Sequence, residues 1–503
     1  MTALSEGETE LKAVFVLLLA SLLYYFSYPE VDPDLWGHLF FGKEIAQSNL
    51  ISRTNLYSYT AAGHDWINHE WLAEVVFYGV YRFLGSPGLI LLKLVFGCGV
   101  VWLLDRSLRR AGYSFRVRGI SLVWTMAILS PGFNVRPQIF TYFLFAAVLC
   151  LFYLYEASAR KAIYWAPVLM AVWVNLHGGF VAGIGALGVF VLFRAGAELS
   201  RGDTVRSVMV NLGIPLLLAT IFLLINPYGL RLLDFIARDL LFKRPITEWE
   251  TIWPLDFSFL EFKLALLGFV FTALWTGSWR RWDFILGALA AAFALRHQRH
   301  IPFFAIAAAP FLAAGLERGF RLLKTERSQW LLAVAILGVA TYQIAAIGGV
   351  HLQNRFQLTV SPQEYPTQAA DFLRRNGARG NLAVPFDWGE YFIWHLYPGV
   401  RVSVDGRYTT AYPLKVIDDN FEWMRGGKNW KRLLDSYPTE IVITNRYHPV
   451  TALMREDPEW VYIYSDPVAF IFVRNIPSQQ SLLSKFRERR LLPPQPPSIY
   501  FPG

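Results

Sequence analysis

The chain has 503 residues, 54% hydrophobic and 16% aromatic but only 17% charged, with a mean hydropathy of +0.33. Soluble proteins carry about a quarter charged residues, so this composition, with its apolar residues clumped in long runs, excludes an ordinary soluble enzyme and predicts a polytopic membrane protein. The net charge of +9 is concentrated in particular loops, which traces it to membrane topology and excludes nucleic acid as the partner it serves.

In chain order, runs long enough to span lie near 11–28, 86–104, 119–133, 139–157, 162–176, 179–196, 208–226, 261–277, 282–297, 301–317 and 330–350, about eleven spans in all. The first is preceded by Glu6, Glu8 and Glu10 and lacks a small-x-small cleavage pattern, so it is expected to be an uncleaved span and not a signal peptide. Cys98 and Cys150 both fall inside apolar runs and behave as small hydrophobes, not as a disulfide or metal framework. The loops 105–119, 157–161, 194–206, 278–283 and 317–329 are rich in Arg and Lys. Cytoplasmic loops collect these residues, which predicts a cytoplasmic N-terminus and places the loop 29–85 and everything after about 351 outside. Past Gln353, β-rich runs at 381–386, 401–405, 440–444, 460–464 and 468–473 alternate with helical patterns, predicting an extracytoplasmic α/β domain over 351–503 with a Pro-rich tail.

Ionisable residues at a membrane are costly and point to function, and here they gather on the loops assigned to the outer face. The first loop carries "DPDLWGHL", with Asp32, Asp34 and His38, and then "WINHEWLAE", with His69, Glu70 and Glu74. Juxtamembrane helices are expected at about 33–47 and 66–84. Later outer turns add Arg136 in "NVRPQ", His177 in "NLHGG", Glu248 and Glu250 in "TEWETIWP", and Arg296, His297, Arg299 and His300 in "RHQRHIP". Asp32 as an N-cap with Pro33 behind it accounts for a helix start without chemistry. Capping explains Asp34 less well, and Asp34 shares a helical face with His38 four residues on. Carboxylates can act as general bases, and Arg and His can stabilise the charge growing on a phosphate leaving group. The D-x-D spacing of Asp32 and Asp34 also meets, as a three-residue pattern, the form that holds Mg²⁺ or Mn²⁺. In the C-terminal part, Asp387, Glu390, Asp405 and Arg407 follow strand ends, where turn and ion-pair chemistry or acceptor recognition are the alternatives.

These motifs, with "NPYG" at 226–229, resemble bacterial relatives of the GT-C glycosyltransferase superfamily, which includes protein O-mannosyltransferases, aminoarabinose transferases and oligosaccharyltransferase catalytic subunits. The resemblance covers about residues 10–350. It implies a GT-C-like membrane domain over 1–350 and a first-loop catalytic acid matching Asp34 or Asp32, with His38 and Glu70 beside it. The gathering of ionisable residues on the outer loops makes His69, Glu74, Arg136, His177, Arg296, Arg299 and His300 the expected substrate-binding residues. The expected activity is transfer of a sugar from a polyprenyl-phosphate lipid donor to a protein or glycan acceptor outside the bacterial inner membrane. Membrane lipids are the other expected partners, and a divalent cation remains an option as cofactor. The alternative is a catalytically silent scaffold or assembly subunit of a membrane or envelope complex. A transporter or flippase would place its charges near the midplane, which this pattern does not.

Overall fold

A computed structural model describes residues 6–239, 247–253, 257–322, 326–349 and 352–503. Residue 254, residues 323–325 of the basic loop 317–329, and residues 350 and 351, at the expected domain division, lie outside the described residues. Packing divides the chain into two compact units, and the division is not sequential. One unit joins residues 1–28 to 89–356, and the other joins 29–88 to 357–503. The first loop is thus grouped with the C-terminal part, a grouping that a single cut at residue 350 does not contain.

The first unit is helical. Each of the eleven apolar runs overlaps a helix, beginning with α1 (Glu6–Phe26). Among the described residues, five helices are long and apolar enough to cross a membrane: Trp71–Arg110, Gln138–Glu156, Phe180–Ser200, Val205–Phe222 and Gln298–Leu322. The segments Leu11–Phe26 and Val334–Gly349 are apolar but shorter. Helices meet through buried side chains such as Val14, Leu17, Ile336 and Ala340, and through aromatic pairs such as the stacked Phe152 and Phe190, with Trp282 edge-on to both. Buried Ser21 and Gln343 pair with each other, Ser21 Oγ donating to Gln343 Oε1 at 2.8 Å, as an apolar surrounding favours.

The second unit begins with α2 (Leu35–Ser48) and the first part of α3 (Trp71–Arg110), whose helical path is interrupted at Gly85. Its sheet holds β1 (Gly380–Ala383), β2 (Val400–Val402), β3 (Ile441–Asn445), β4 (Trp460–Ser465) and β5 (Ala469–Arg474) in the order β2-β1-β3-β5-β4. All five β-rich runs of the sequence overlap these strands. β1 is parallel to both β2 and β3, while β5 is antiparallel to β3 and β4. One face buries Trp423, Leu433, Val442, Met454, Phe470 and Phe472. First-loop residues extend the open edge of β2: Val402 N–H donates to Tyr57 C=O at 3.2 Å, and Tyr59 N–H donates to Val402 C=O at 3.1 Å. This covers an edge that would otherwise expose unpaired backbone groups. The Pro-rich tail also returns to the unit. Val360 and Phe501 donate backbone bonds to Ile499 and Leu358, and Phe501 packs against Trp36.

Candidate active site

In the second unit, Pro33 sets a tight turn ahead of α2, so the helix begins at Leu35 and not directly behind Asp32. Asp32 C=O accepts from Leu35 N–H at 3.0 Å, and its Oδ1 accepts from Asp34 N–H, also at 3.0 Å. Asp34 therefore occupies the N-cap position itself, yet its side chain makes no capping bond. The helix start is two residues later than Asp32 capping alone predicts. The Asp32 carboxylate thus accepts a bond within the turn.

Asp34 acts on His38 electrostatically, but the larger partner of His38 is Glu74. His38 Nδ1 stands 3.8 Å from Glu74 Oε1 on α3, and Glu74 Oε2 accepts from Asn68 Nδ2 at 2.6 Å. Burial disfavours the imidazolium. Glu74, with Glu70 and then Asp34 in support, nevertheless holds His38 above its ordinary value. Asn68 also accepts the Glu70 N–H at 3.2 Å, and His69 Nε2 lies 3.8 Å from Glu70 Oε1. His38, Glu74 and Asn68 thus tie α2 to α3, while Glu70 and His69 are partly exposed beside them.

An acid from far along the chain shares the surroundings of Asp34. Glu390, on the helix Gly389–Leu396, is 4% exposed. A Cβ built on Gly406 would stand 2.4 Å from Asp34 Oδ1 and 3.0 Å from Glu390 Oε1. One on Gly37 would stand 2.1 Å from Glu390 Oε2. The two glycines leave the space that the two carboxyl groups occupy. Glu390 Oε2 is buried without a hydrogen-bond partner. Burial, then the Asp34 and Asp405 carboxylates, hold the Glu390 carboxyl well above the usual range, against the opposing pull of Arg407. Asp387 is raised in the same direction, first by desolvation and then by Asp34.

Beneath this pair, Arg407 donates from Nε to Asp405 Oδ1 at 2.8 Å and from Nη2 to Asp405 Oδ2 at 2.6 Å. Tyr412 donates to the same carboxylate at 2.5 Å, and Nη2 also reaches Asn55 Oδ1 at 3.0 Å. The guanidinium lies among Phe41, Tyr57, Trp66 and Tyr412 at 4.6–5.6 Å from their ring centres. This bidentate, caged arginine anchors the turn that carries Gly406. The sequence marks Glu390, Asp405 and Arg407 only as groups following strand ends. The available signal was the pair of glycines, one in "DLWGHL" three residues after Asp34 and one in "VDGRY" directly after Asp405.

The remaining candidates belong to the first unit. Arg136 pairs with Glu248, Arg299 lies 5.0 Å over the Trp249 ring, and His297 Nδ1 is 2.8 Å from Trp249 C=O. These three gather on the segment Thr247–Trp249. Arg296 contributes its carbonyl, which accepts from Thr251 Oγ1. His300 packs against Phe293 and Phe303. His177 Nδ1 accepts from Gly179 N–H at 3.0 Å and lies 2.8 Å from Thr141 Oγ1, which accepts from Trp173 Nε1 at 2.7 Å. Among the described residues, no group of three or more His, Cys, Asp or Glu is arranged to hold a metal ion. Asp32, half of the D-x-D pattern, turns an oxygen to the Asp34 amide. Among the described residues, the side chains thus show no Mg²⁺ or Mn²⁺ site at this spacing.

No protein-family model matches the sequence, and no curated protein matches it. Solved structures do. The Archaeoglobus fulgidus oligosaccharyltransferase in its apo form aligns with a TM-score of 0.58 at 12% identity, over 93% of this chain and 74% of that one. ArnT from Cupriavidus metallidurans bound to undecaprenyl phosphate gives 0.54 at 13%, over 94% of this chain and 99% of that one. Arabinofuranosyltransferase AftD from Mycobacteria gives 0.52 at 15%, over 94% of this chain but 40% of that one. At these identities the likeness is one of fold. By that fold, the chain is similar to these three solved transferases.

Proposed function

We propose that this protein is a multi-pass membrane glycosyltransferase. It moves a sugar from a polyprenyl-phosphate-type lipid donor to a protein or glycan acceptor on the extracytoplasmic face of a bacterial inner membrane, with about eleven spans and an outer α/β domain. The observation that carries the reading is Asp34: a carboxylate at a helix start that makes no capping bond, set against a second, buried acid. A structural neighbour bound to undecaprenyl phosphate supports a lipid-linked donor.

In the proposed step, the Asp34 carboxylate takes the proton of an acceptor hydroxyl or amine. The acceptor atom bonds to the anomeric carbon, and the carbon–oxygen bond to the lipid phosphate breaks, its electron pair leaving on the phosphate oxygen. Within the second unit, Asp32 holds the turn that presents Asp34, and His38, Glu74 and Asn68 fix α2 against α3. Glu70 keeps its proposed catalytic role and His69 its proposed substrate-binding role. Arg136, His177, Arg296, Arg299 and His300 retain the phosphate-binding role that their residue types suit.

The test is to replace Asp34→Asn in a strain whose own copy is deleted, and to profile lipid-linked sugars and envelope glycans by mass spectrometry. Loss of one glycan with accumulation of its lipid-linked donor is the expected result. An unchanged profile with normal protein levels would leave the silent scaffold as the reading.

A further inference from the structure

Glu390 takes no step in the scheme above, yet its carboxyl and that of Asp34 border the same space beside Gly406. Two independent features put it there. Gly37, less than one turn along α2 from Asp34, lacks the Cβ that would overlap Glu390 Oε2, and Gly406 lacks the Cβ that would overlap Asp34 Oδ1 and crowd Glu390 Oε1. A buried carboxylate with an unpartnered oxygen is costly unless it is neutralised. Its charged surroundings are Asp34 on α2, Glu74 on α3, and Asp405 and Arg407 after β2, with Asp387 facing the same Asp34 carboxylate. Arg407 is the one cation among them, and both of its bonds to a carboxylate go to Asp405. Nothing in this set neutralises Glu390 by ion pairing.

We infer that Glu390 is a positioning residue for the transfer: it keeps a proton and donates it as a hydrogen bond toward Asp34, fixing the orientation of the base. The inference rests on Asp34 being that base. Two carboxyl groups in one pocket share a proton because both cannot ionise cheaply. The direction in which burial and Asp34 move Glu390 agrees. The pair then has a defined pH sense. As pH rises through the raised value, Glu390 loses its proton, the hydrogen bond becomes a repulsion, and transfer declines. The fold loses stability over the same range, from the ordinary Glu value of about 4.3 up to the raised one, because the native state binds the extra proton.

The test uses the full chain. In the deletion strain, Glu390→Ala should lower product on the order of 100-fold, the scale of a misplaced catalytic group. Glu390→Gln keeps a donor and should lose no more than a few-fold, and its alkaline decline should disappear. Infrared spectra of the purified chain at neutral pH should show a protonated carboxyl band that Glu390→Gln removes. The inference is overturned if Glu390→Ala is as active as the unaltered chain, if the Gln and Ala variants fall equally, if the infrared band is absent, or if added Mn²⁺ is what restores the Gln variant. Failure of the transferase reading looks different: Asp34→Asn would leave the product untouched, while the infrared band would still report on Glu390.

Discussion

Gly37→Ala isolates the geometry on which the site depends. A Cβ there would stand 2.1 Å from Glu390 Oε2, 2.2 Å from its carboxyl carbon and 2.7 Å from Oε1, where ordinary contact begins at 3.4 Å. The Glu390 carboxyl must therefore withdraw by more than about 1 Å, a displacement that can cost on the order of 100-fold in rate when it disturbs a reacting group. Stability moves far less. Ala in place of Gly favours the helix by up to about 1 kcal/mol, while overpacking costs about 1–3 kcal/mol, so the two nearly offset. The assay pairs product formation in the deletion strain with thermal unfolding of the purified chain in detergent. A variant that folds with a nearly unaltered midpoint and forms about one hundredth of the product agrees with the structure. Full activity would refute the placement of Glu390 against α2, and a collapse in stability would show the glycine to be a packing requirement only.

Other perturbations probe the supports of the site. His38→Gln should narrow the stability gap to the unaltered chain as pH rises. The His38–Glu74 contribution is fully present below the ordinary His value of about 6.5 and is lost as pH passes the raised folded value, so melting at several pH values checks it. Arg407→Met leaves Asp405 buried with Tyr412 as its remaining side-chain donor and should destabilise the second unit by about 3–5 kcal/mol. The double change with Asp405→Asn should recover part of that loss in denaturant titrations. Trp36→Phe keeps the ring packing with Tyr365 and Tyr391 but removes the 2.9 Å bond from Nε1 to Pro502 C=O. A loss of about 1 kcal/mol and faster proteolysis of the tail are expected.

The apolar runs and the five strands were legible in the sequence because each is a local pattern, and each overlaps an observed helix or strand. The helix after "DPD" was legible too, but its start was not placed: the N-cap is Asp34, with Asp32 accepting from the Asp34 amide. What local patterns could not carry was long-range pairing. Glu390 lies 356 positions beyond Asp34, and nothing in the spacing of "VPFDWGEY" says which helix it will meet. The contact that His38 makes with Glu74 is of the same long-range kind. Helical periodicity offers Asp34 as a neighbour, but the closer carboxylate, Glu74, arrives from α3. The grouping of the first loop with the C-terminal part rests on edge pairing at β2 and on the return of the tail, both invisible to a reading that moves along the chain.

The most direct test of the central claim is the rate of sugar transfer by membranes carrying Asp34→Asn, compared with Asp32→Asn and the unaltered chain at matched protein levels. With Asp34 as general base, its replacement should lower transfer by about 100- to 10,000-fold, whereas Asp32→Asn should act mainly through stability. Equal transfer by the Asp34→Asn and unaltered membranes would contradict the account.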